Sequence, residues 1–436
     1  MGNDRYDVII VGAGPAGSSA AYFCAKNNLS VALIERGDFP GSKNMFGGVI
    51  YSKPTSIIIP GFWEKAPLER AVTRYILWLM ETDSVVEMGF TGFNFAKPPY
   101  NTFTVIRSRF DRWFAEQAIT AGSHLMTSTL VEALIYKKSG LNQKQVTGVI
   151  LKDGSKIYAD LIILAEGAMA DLTHKAGMRQ KITADMLTIY VKELLYLPKE
   201  IIEARFNLEK NEGAVIGMIG YPTAGSIGKG GIWTNNDTIS LTVGGYLNQL
   251  NKKGLNPYQL LQRLKKHPKV VSLINGAKTI QYQSHIIPKG GYKSIPEFYN
   301  NGILITGDAG MLISGRHGTD IAMLSGKYAA ETAIQAKTKG DFTKKILAGY
   351  ELKLKNSFFM KNMKDNQKRG SYYKNHPDSD YLISQFINKA AYKYFREEME
   401  NQNKKIEEIL TQLKTMQPIS KSITDFYQGF WNWRVF

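Results

Sequence analysis

The amino-acid sequence predicts an α/β fold, in which a dinucleotide-binding domain carries an inserted, sheet-based second domain and a helical C-terminal tail. Three observations predict it. The chain opens on a buried strand, a glycine turn, a helix and a second strand within about 30 residues, the length of one strand–helix–strand unit. A further apolar strand, Gly302 to Thr306, runs straight into Gly307-Asp308 and a helix. Between them, residues 185–280 have a different texture, with Gly-rich turns, aromatics and short strands such as Ile239 to Val243.

Taken in order, Tyr6 to Val11 is the first strand, and Val8, Ile9, Ile10 and Val11 run without alternation, as strands buried on both faces do. Gly12 to Gly17 turn the chain, Ser18 to Lys26 form a helix of small and apolar residues, and Asn27-Asn28 end it. Val31 to Ile34 is the second strand, closed by Glu35. A Gly-rich loop follows from Pro40 to Gly48, and a helix is expected from Ser108 to Ala121. Val146 to Leu151 and Lys156 to Leu164 alternate about the turn Asp153-Gly154, as the arms of a hairpin do. From Phe342 onward the chain reads as helical, basic and rich in Tyr and Phe.

Composition removes several kinds of chemistry. A chain of 436 residues exceeds one simple core and suggests two or three domains. Cys24 is the sole cysteine, so the chain can make no internal disulfide, no iron–sulfur cluster and no cysteine zinc site. Redox chemistry must then belong to an organic cofactor or a partner, and Cys24 reads as a small buried hydrophobe. The histidines, His124, His174, His267, His285, His317 and His376, lack metal-ligand spacing, and no Gly-x-Ser-x-Gly elbow appears. No metal is expected. The polar start, Met1 to Tyr6, predicts no signal peptide. No run approaches the roughly 18 apolar residues of a membrane span. A cytoplasmic protein, free or peripheral on one membrane face, is the expectation. The charge of +17, from 55 basic and 38 acidic side chains, attracts nucleic acid, anionic lipid or an acidic protein. No nucleic-acid motif accompanies it, so nucleic acid is not an expected partner.

The motif Gly12-Ala13-Gly14-Pro15-Ala16-Gly17 carries the first chemistry. Gly12 lets the chain leave the strand sharply, Gly14 lets backbone approach a pyrophosphate, and Gly17 lets the helix pack close to the sheet. The helix N-terminus adds unpaired N–H groups and a positive dipole end. Glu35, 18 residues after Gly17, suits the two hydroxyls of an adenosine ribose, with Arg36 beside it. This Rossmann-like unit alone does not separate FAD from NAD. Three later stretches favour FAD. Gly307-Asp308-Ala309-Gly310 can set a carboxylate on the ribityl hydroxyls of a flavin. Ala165-Glu166-Gly167 follows the strand Leu161 to Leu164, where a second close backbone approach is expected. Arg107 and Arg109 open a helix, and one of them could reach the flavin chain or phosphates.

Beyond these residues the sequence resembles a known family, the FixC-like flavoproteins related to electron-transfer flavoprotein:quinone oxidoreductases. The resemblance covers most of residues 6–335. It rests on Pro40-Gly41-Ser42-Lys43-Asn44-Met45 with Gly47-Gly48, on Ile59-Pro60-Gly61-Phe62, and on Ala66-Pro67-Leu68-Glu69-Arg70. It continues through Arg107-Ser108-Arg109-Phe110-Asp111, Ser284-His285-Ile286-Ile287-Pro288, Gly307-Asp308-Ala309-Gly310 and Gly318-Thr319-Asp320-Ile321-Ala322. The resemblance implies a fold like that of the p-hydroxybenzoate hydroxylase and geranylgeranyl reductase superfamily. It also implies FAD as cofactor, electrons arriving from an electron-transfer flavoprotein of FixA-like and FixB-like subunits, and a quinone as acceptor. A small ferredoxin-like subunit, FixX, would associate, since this chain lacks cluster cysteines. Lys289 stands where the family tends to have an acid, and the spacing around Arg316-His317-Gly318 differs from several relatives.

The FAD domain is accordingly expected over 1–80, 104–184 and 281–341, the quinone-side domain over 81–103 and 185–280, and a helical basic region over 342–436. The loop from Ser42 to Gly48 would bring backbone to the flavin ring, with Gly318, Thr319 and Asp320 completing the cofactor site. The ring itself carries the redox step, so no side chain is expected to be catalytic. His317 near that end could tune the flavin or pass a proton to quinone, or could be a loop histidine bonded to backbone. A geranylgeranyl-reductase-like enzyme reducing isoprenoid double bonds is the alternative, and a scaffold with structural FAD a further one. Six of the last eleven residues, Phe426 to Phe436, are aromatic, with Lys344, Lys345, Lys353, Lys355, Lys361, Lys364, Lys368 and Arg369 upstream. That combination suits an anionic membrane surface or burial against a partner.

Overall fold

A computed structural model describes residues 5–43, 48–138, 144–314, 317–367, 372, 375–397, 399 and 401–433. The chain divides into two compact units, one of residues 1–68, 105–186 and 287–367, the other of 69–104, 187–286 and 368–436.

The first unit is built on a mostly parallel sheet. Arg5–Val11 lies between Val31–Ile34 and Lys156–Leu164, parallel to both, and Ile303–Ile305 continues the parallel order beyond Lys156–Leu164. His124–Met126 adds a parallel strand outside Val31–Ile34. Val8, Ile9, Ile10, Val31, Ala32 and Leu33 are fully or nearly fully buried, which is why these strands read as unbroken apolar runs. The hairpin about Asp153-Gly154 forms as expected between Lys144–Leu151 and Lys156–Leu164. The helices Pro15–Lys26 and Thr319–Lys339 pack so closely that a Cβ on Gly326 would stand 2.1 Å from the Ala16 carbonyl oxygen. Cys24 is fully buried, and desolvation pushes its thiol up to about 12, which makes it an inert hydrophobe at neutral pH.

The second unit carries a larger sheet. Lys278–Pro288, Leu187–Tyr196, Thr238–Tyr246, Gly228–Thr234, Glu212–Gly220, Leu68–Met80 and Thr102–Val105 follow one another across it, and Val85–Thr91 pairs with Leu68–Met80. Alternate residues of the central strands, such as Ile76, Trp78, Ala214, Ile216, Leu241 and Val243, share one core with Leu260, Leu261, Leu264 and Val270. These last come from helices Pro257–Lys265 and Pro268–Ile274, each begun by a proline at its first position and a side-chain cap, Asn256 and His267 respectively. His267 Nδ1 accepts the Lys269 N–H and its Nε2 faces the Glu81 carbonyl oxygen at 2.8 Å, so this histidine is a structural one.

Three expected boundaries are corrected, and the first is that residues 281–286 fall in the second unit, on the strand Lys278–Pro288. Residues 69–80 belong to the second unit, because Ile76, Trp78 and Met80 alternate into its core. The expected C-terminal region 342–436 is divided at residue 367. Lys344–Asn356 and Phe358–Asp365 belong to the first unit, where Leu347, Tyr350 and Leu354 are buried. Part of the expected basic surface is paired there, Lys344 with Glu297, Lys353 with Glu331 and Lys355 with Glu351. Ser379–Phe395, Gln402–Met416 and Ile419–Trp433 belong to the second unit. There Ser384 Oγ donates to the Met80 carbonyl and Asn388 Nδ2 to that of Leu79, docking the first of these helices on the strand. Among the described residues, no helix is long and apolar enough to cross a membrane.

Candidate functional site

The carboxyl ends of the parallel strands in the first unit gather most of the expected site residues. Ligands of open α/β sheets bind at this edge, where the strand order reverses. Val11 leads into Gly12, Ile34 into Glu35, Leu164 into Ala165, and Ile305 into Thr306-Gly307. Three backbone hydrogen bonds tie these ends together: Gly12 N–H to the Ile34 oxygen at 2.7 Å, Ala165 N–H to Val11 at 2.8 Å, and Thr306 N–H to Leu164 at 2.9 Å.

Each glycine of the turn answers to a different surrounding. Gly12 has φ +103°, and a Cβ there would lie 2.4 Å from the Ala165 oxygen. The second close backbone approach expected at Ala165-Glu166 is therefore made against the glycine turn itself. A Cβ on Gly17 would lie 1.8 Å from the Gly12 oxygen, so only hydrogen fits. Around Gly14 a Cβ would meet nothing within 4 Å, and the same holds for Gly167. Gly12 and Gly17 thus serve the protein's own packing, while Gly14 borders open space at a helix N-terminus whose first residue is Pro15.

Glu35 is bonded to the turn. Ala13 N–H donates to its Oε2 at 3.0 Å and Gly37 N–H to its Oε1 at 2.7 Å. The carboxylate therefore has a fixed orientation and retains lone pairs for ribose hydroxyls. Arg36 and Lys43 are exposed, with Lys43 Nζ directed at the Arg36 carbonyl. Ser42 Oγ is buried with no hydrogen-bond partner among the described residues. Gly48 is buried, and its oxygen accepts from Val105 N–H. Asn44, Met45 and Gly47 lie outside the described residues.

Of the two arginines left open by the sequence, Arg107 is buried and Arg109 exposed. Arg107 forms a two-pronged pair with buried Asp111, both contacts at 2.7 Å, and its Nη1 donates to Thr319 Oγ1 at 3.0 Å. That bond joins the start of helix Arg107–Thr120 to the start of helix Thr319–Lys339. Gly41, with φ +89°, presses on the same corner, where a Cβ would be 2.9 Å from Asp111 Cβ.

Asp308 is a desolvated acid of the edge. Burial pushes its carboxyl up to about 6, against the lowering fields of Arg107, Lys289 and Arg179. Lys289 thus adds positive potential toward Asp308. At Glu166 the sequence pointed to the backbone, and the side chain is engaged within the fold. Its carboxylate accepts from Leu172 N–H, Thr173 N–H and Thr173 Oγ1, satisfying the start of helix Asp171–Lys175. The side chain is a helix cap, and only the backbone of 165–167 remains for a cofactor.

Sequence reading missed Arg179. Its guanidinium donates to the carbonyls of Ala168, Met169 and Ala309, pinning the loop after Leu164 to the Gly307–Gly310 turn. No motif surrounds it, and only the fold brings those carbonyls together. At the far side of the corner, His317 Nδ1 lies 2.6 Å from Asp320 Oδ2, so the histidine is bonded to a buried carboxylate and its ring is not a mere backbone ligand. Among the described residues no His, Cys, Asp and Glu cluster could hold a metal.

This arrangement fits an FAD. The space at Gly14, the oriented Glu35, the desolvated Asp308, and Ser42 Oγ and Asp320 Oδ1, which have no hydrogen-bond partner among the described residues, suit a polar ligand.

Comparison with known proteins agrees. The family described as "FAD dependent oxidoreductase" matches residues 7–79, and the one described as "ETF-QO, ubiquinone-binding" matches residues 194–287. The chain is 38% identical to Protein FixC of Bradyrhizobium diazoefficiens over 91% of either chain. It is 36% identical to that of Azotobacter vinelandii over 98% of this chain and 99% of the relative. The Escherichia coli K12 protein is 39% identical over 80% of this chain and 81% of its own. Among solved structures, a geranylgeranyl bacteriochlorophyll reductase-like protein of Thermoplasma acidophilum has a TM-score of 0.65 at 17% identity, covering 92% of this chain and 89% of that one. The myxobacterial chondrochloren halogenase CndH, an FAD-dependent halogenase, has a TM-score of 0.62 at 17% identity over 95% and 91%. These two likenesses concern the fold alone.

Proposed function

The chain belongs to the FixC family and is an FAD-dependent oxidoreductase, and from that premise we propose that it takes electrons from an electron-transfer flavoprotein and passes them to a quinone. The donor would be a complex of FixA-like and FixB-like subunits, and a FixX-like ferredoxin would associate with this chain. The observation that carries the reading is the coexistence of two matches in one chain. The match to the family described as "ETF-QO, ubiquinone-binding" spans 194–287, all but its last residue in the second unit, and the edge that fits an FAD lies in the first. The single, fully buried cysteine supports a separate subunit as the carrier of any iron–sulfur cluster.

When bound, the flavin supplies the two-electron redox chemistry. The protein's own residues bind and orient it. Gly14 and the N-terminus beginning at Pro15 receive the pyrophosphate, Glu35 the ribose, and Asp308 the ribityl hydroxyls, with Arg107 and Lys289 supplying positive potential. Ser42, Gly318, Thr319 and Asp320 complete the enclosure. Rapid mixing tests the function. Reduced electron-transfer flavoprotein should bleach the flavin of the purified protein, and a short-chain ubiquinone should restore its colour. Bleaching without restoration would remove the quinone from the proposal. Consumption of geranylgeranyl double bonds instead would favour the reductase alternative.

The protein is further proposed to sit on the cytoplasmic face of the cell membrane. Helix Ile419–Trp433 supports this, since Ile419, Ile423, Phe426 and Tyr427 recur at helical spacing and remain exposed. Flotation with anionic liposomes, with partner subunits present, compares the full chain with one ending at Gln417. The full chain should float at low salt and the shortened one should not. Full-length protein left at the bottom overturns membrane association, and equal flotation moves the anchor away from this helix.

A further inference from the structure

The second unit holds two cavities that adjoin one helical turn and that the flavin edge does not use. The first lies among the C-terminal helices and measures about 640 Å³. Ile383 and Phe386 of helix Ser379–Phe395, Leu413 and Met416 of helix Gln402–Met416, and Ile423 and Phe426 of helix Ile419–Trp433 line it. Gln417 and Ser422 add polar atoms, and none of its lining residues is charged. One wall is anchored, since Ile383 is buried with Leu77, Leu79 and Ile219 of the sheet. Another is open to the surface, since Ile423 is 66% exposed and Phe426 44%. The second cavity, of about 530 Å³, is polar, with Lys253, Arg263 and Asp378 in its lining beside Tyr381. A Cβ on Gly225 would stand 3.5 Å from Lys253 Nζ and 3.9 Å from Tyr381 Cγ, so ammonium and ring face one spot. Lys253 Nζ spends one donor on the Gly225 carbonyl. Arg263 lies over the Tyr221 ring, 3.8 Å from its centroid, with Nη1 donating to the Tyr221 carbonyl at 2.8 Å. The Asp378 side chain does not cap the helix it precedes. Among the described residues none of these three charges is held in an ion pair. Tyr381 and Leu382, consecutive in the chain, line the polar and the apolar cavity respectively.

We propose that this unit binds one phospholipid, with an acyl chain in the apolar cavity and a phosphate-and-amine headgroup in the polar one. The proposal deepens the membrane reading above, and rests on it for the source of the lipid. Cavities of about 300–1,000 Å³ with mostly apolar walls are usual for small-ligand sites. Width decides against a partner helix. At about 10 Å across with its side chains, a helix would fill the apolar cavity in roughly 8 Å, under two turns, whereas a polymethylene chain can run through it lengthwise. Charge decides against a quinone, which carries none for Lys253, Arg263 or Asp378 to match. A phosphate can accept from the remaining N–H groups of Lys253 and Arg263. The ammonium of an ethanolamine head can donate to Asp378. Such a head answers two cations and one acid with charges of both signs, while a fatty acid or an uncharged lipid leaves part of the set unanswered. The exposed apolar residues Ile423 and Phe426 are at once wall and surface, so a chain leaving a bilayer under helix Ile419–Trp433 enters the cavity without crossing a polar barrier.

The test titrates flavin-loaded, full-length protein with probes of one chain length, each below its micelle concentration: a lysophosphatidylethanolamine, a lysophosphatidylglycerol and a monoacylglycerol. Calorimetry should find one lysophosphatidylethanolamine per chain, bound roughly tenfold more tightly than the monoacylglycerol, the gain expected of charge-assisted hydrogen bonds. Lys253→Gln and Arg263→Gln should each lessen that preference and leave monoacylglycerol binding unaltered. Asp378→Asn should remove the preference for the ethanolamine head over the glycerol head. Ile423→Asp, at an exposed position, sets a carboxylate in the apolar wall and should weaken every probe by about tenfold or more. Flavin content and thermal melting check that each variant is folded. Equal affinity of wild type for the phospholipids and the monoacylglycerol overturns the proposal at the headgroup, and unchanged binding by Ile423→Asp overturns it at the chain. Tighter binding of a short-chain ubiquinone than of any phospholipid gives the cavity to the quinone. Protection of Ile423 and Phe426 by partner subunits in place of the probes gives it to a protein. Either result overturns the proposal. Flotation of the full chain without binding of any probe removes this inference and leaves the membrane reading standing. Probe binding as expected without flotation supports the site and retires the membrane reading alone.

Discussion

In the second unit the buried guanidinium of Arg70 has its donors on the Asn235, Asn236 and Glu212 carbonyls and on Glu203, at 2.5–3.0 Å. In the first unit the carboxyl of Asp308 is held near pH 6 by burial, although Arg107, Lys289 and Arg179 all pull it down. Both lie in segments by which the sequence resembles the FixC family. The first charge is completed within its own unit and fastens Leu68–Met80 to the loop between Gly228–Thr234 and Thr238–Tyr246. The second is desolvated without being matched, which is the condition of a group arranged for a ligand. A family motif therefore marks fold in one unit and binding in the other, and variants should separate the two.

The largest effect belongs to Arg70. Arg70→Ala leaves three carbonyls without that donor and Glu203 with the Asn211 N–H alone, and each buried acceptor left unsatisfied costs about 1–3 kcal/mol. Urea unfolding should show that loss, with flavin content per folded molecule unchanged. A variant of normal stability but low flavin content would reverse the roles assigned to the two units.

Glu35 provides the opposite case. Glu35→Arg should leave a foldable chain with strongly weakened FAD affinity, because charge-assisted hydrogen bonds of roughly 1.5–3 kcal/mol are lost. Titration of flavin-stripped protein with FAD measures it directly. Unaltered affinity would mean that Glu35 only ties the glycine turn to its neighbouring strand.

How much of this was legible in the sequence follows from range. The glycine turn, Glu35, the hairpin and the strand before Asp308 are local patterns, and each lies where its periodicity put it. Helix Arg107–Thr120 differs from its expected span by one residue at each end. Arg179 and the choice between Arg107 and Arg109 were not legible, because burial and long-range carbonyl partners decide them. At Ala165-Glu166-Gly167 the sequence pointed to backbone alone, and the Glu166 carboxylate is taken as a cap by the next helix, which starts close by. The boundary at residue 80 failed because a strand's alternation does not reveal which sheet it joins. The C-terminal region looked like one basic tail because its composition is continuous, whereas its buried faces belong to two units.

The glycines refine the comparison within a single turn. Gly17→Ala forces a Cβ to within 1.8 Å of the Gly12 oxygen, and overpacking of this kind costs about 1–3 kcal/mol. Gly14→Ala meets nothing within 4 Å and should unfold like wild type in the absence of flavin. Thermal melts of flavin-stripped proteins should separate Gly17→Ala from Gly14→Ala, and FAD titration should find both weakened. A Gly14→Ala protein with wild-type affinity would remove the pyrophosphate from that space.

The last comparison is the most diagnostic of the unmatched charge. An Asp308 carboxyl near 6 in the fold, against an ordinary value of 3.8, takes up a proton on folding between those pH values. The flavin-stripped protein is therefore disfavoured by this group above pH 6, and the penalty fades as pH falls from 6 toward 4, because the folded state binds the extra proton. Asp308→Asn has no charge to desolvate. Without flavin it should be more stable than wild type at pH 7, and that advantage should shrink as pH falls toward 4. With FAD present the order should invert, since the amide replaces a carboxylate acceptor for the ribityl hydroxyls and binding weakens. Paired melts at pH 7 and pH 5, with and without FAD, give all four comparisons. An Asp308→Asn protein less stable than wild type at pH 7 without flavin would show that Asp308 is matched inside the fold as Arg70 is, and the contrast between the two units would not stand.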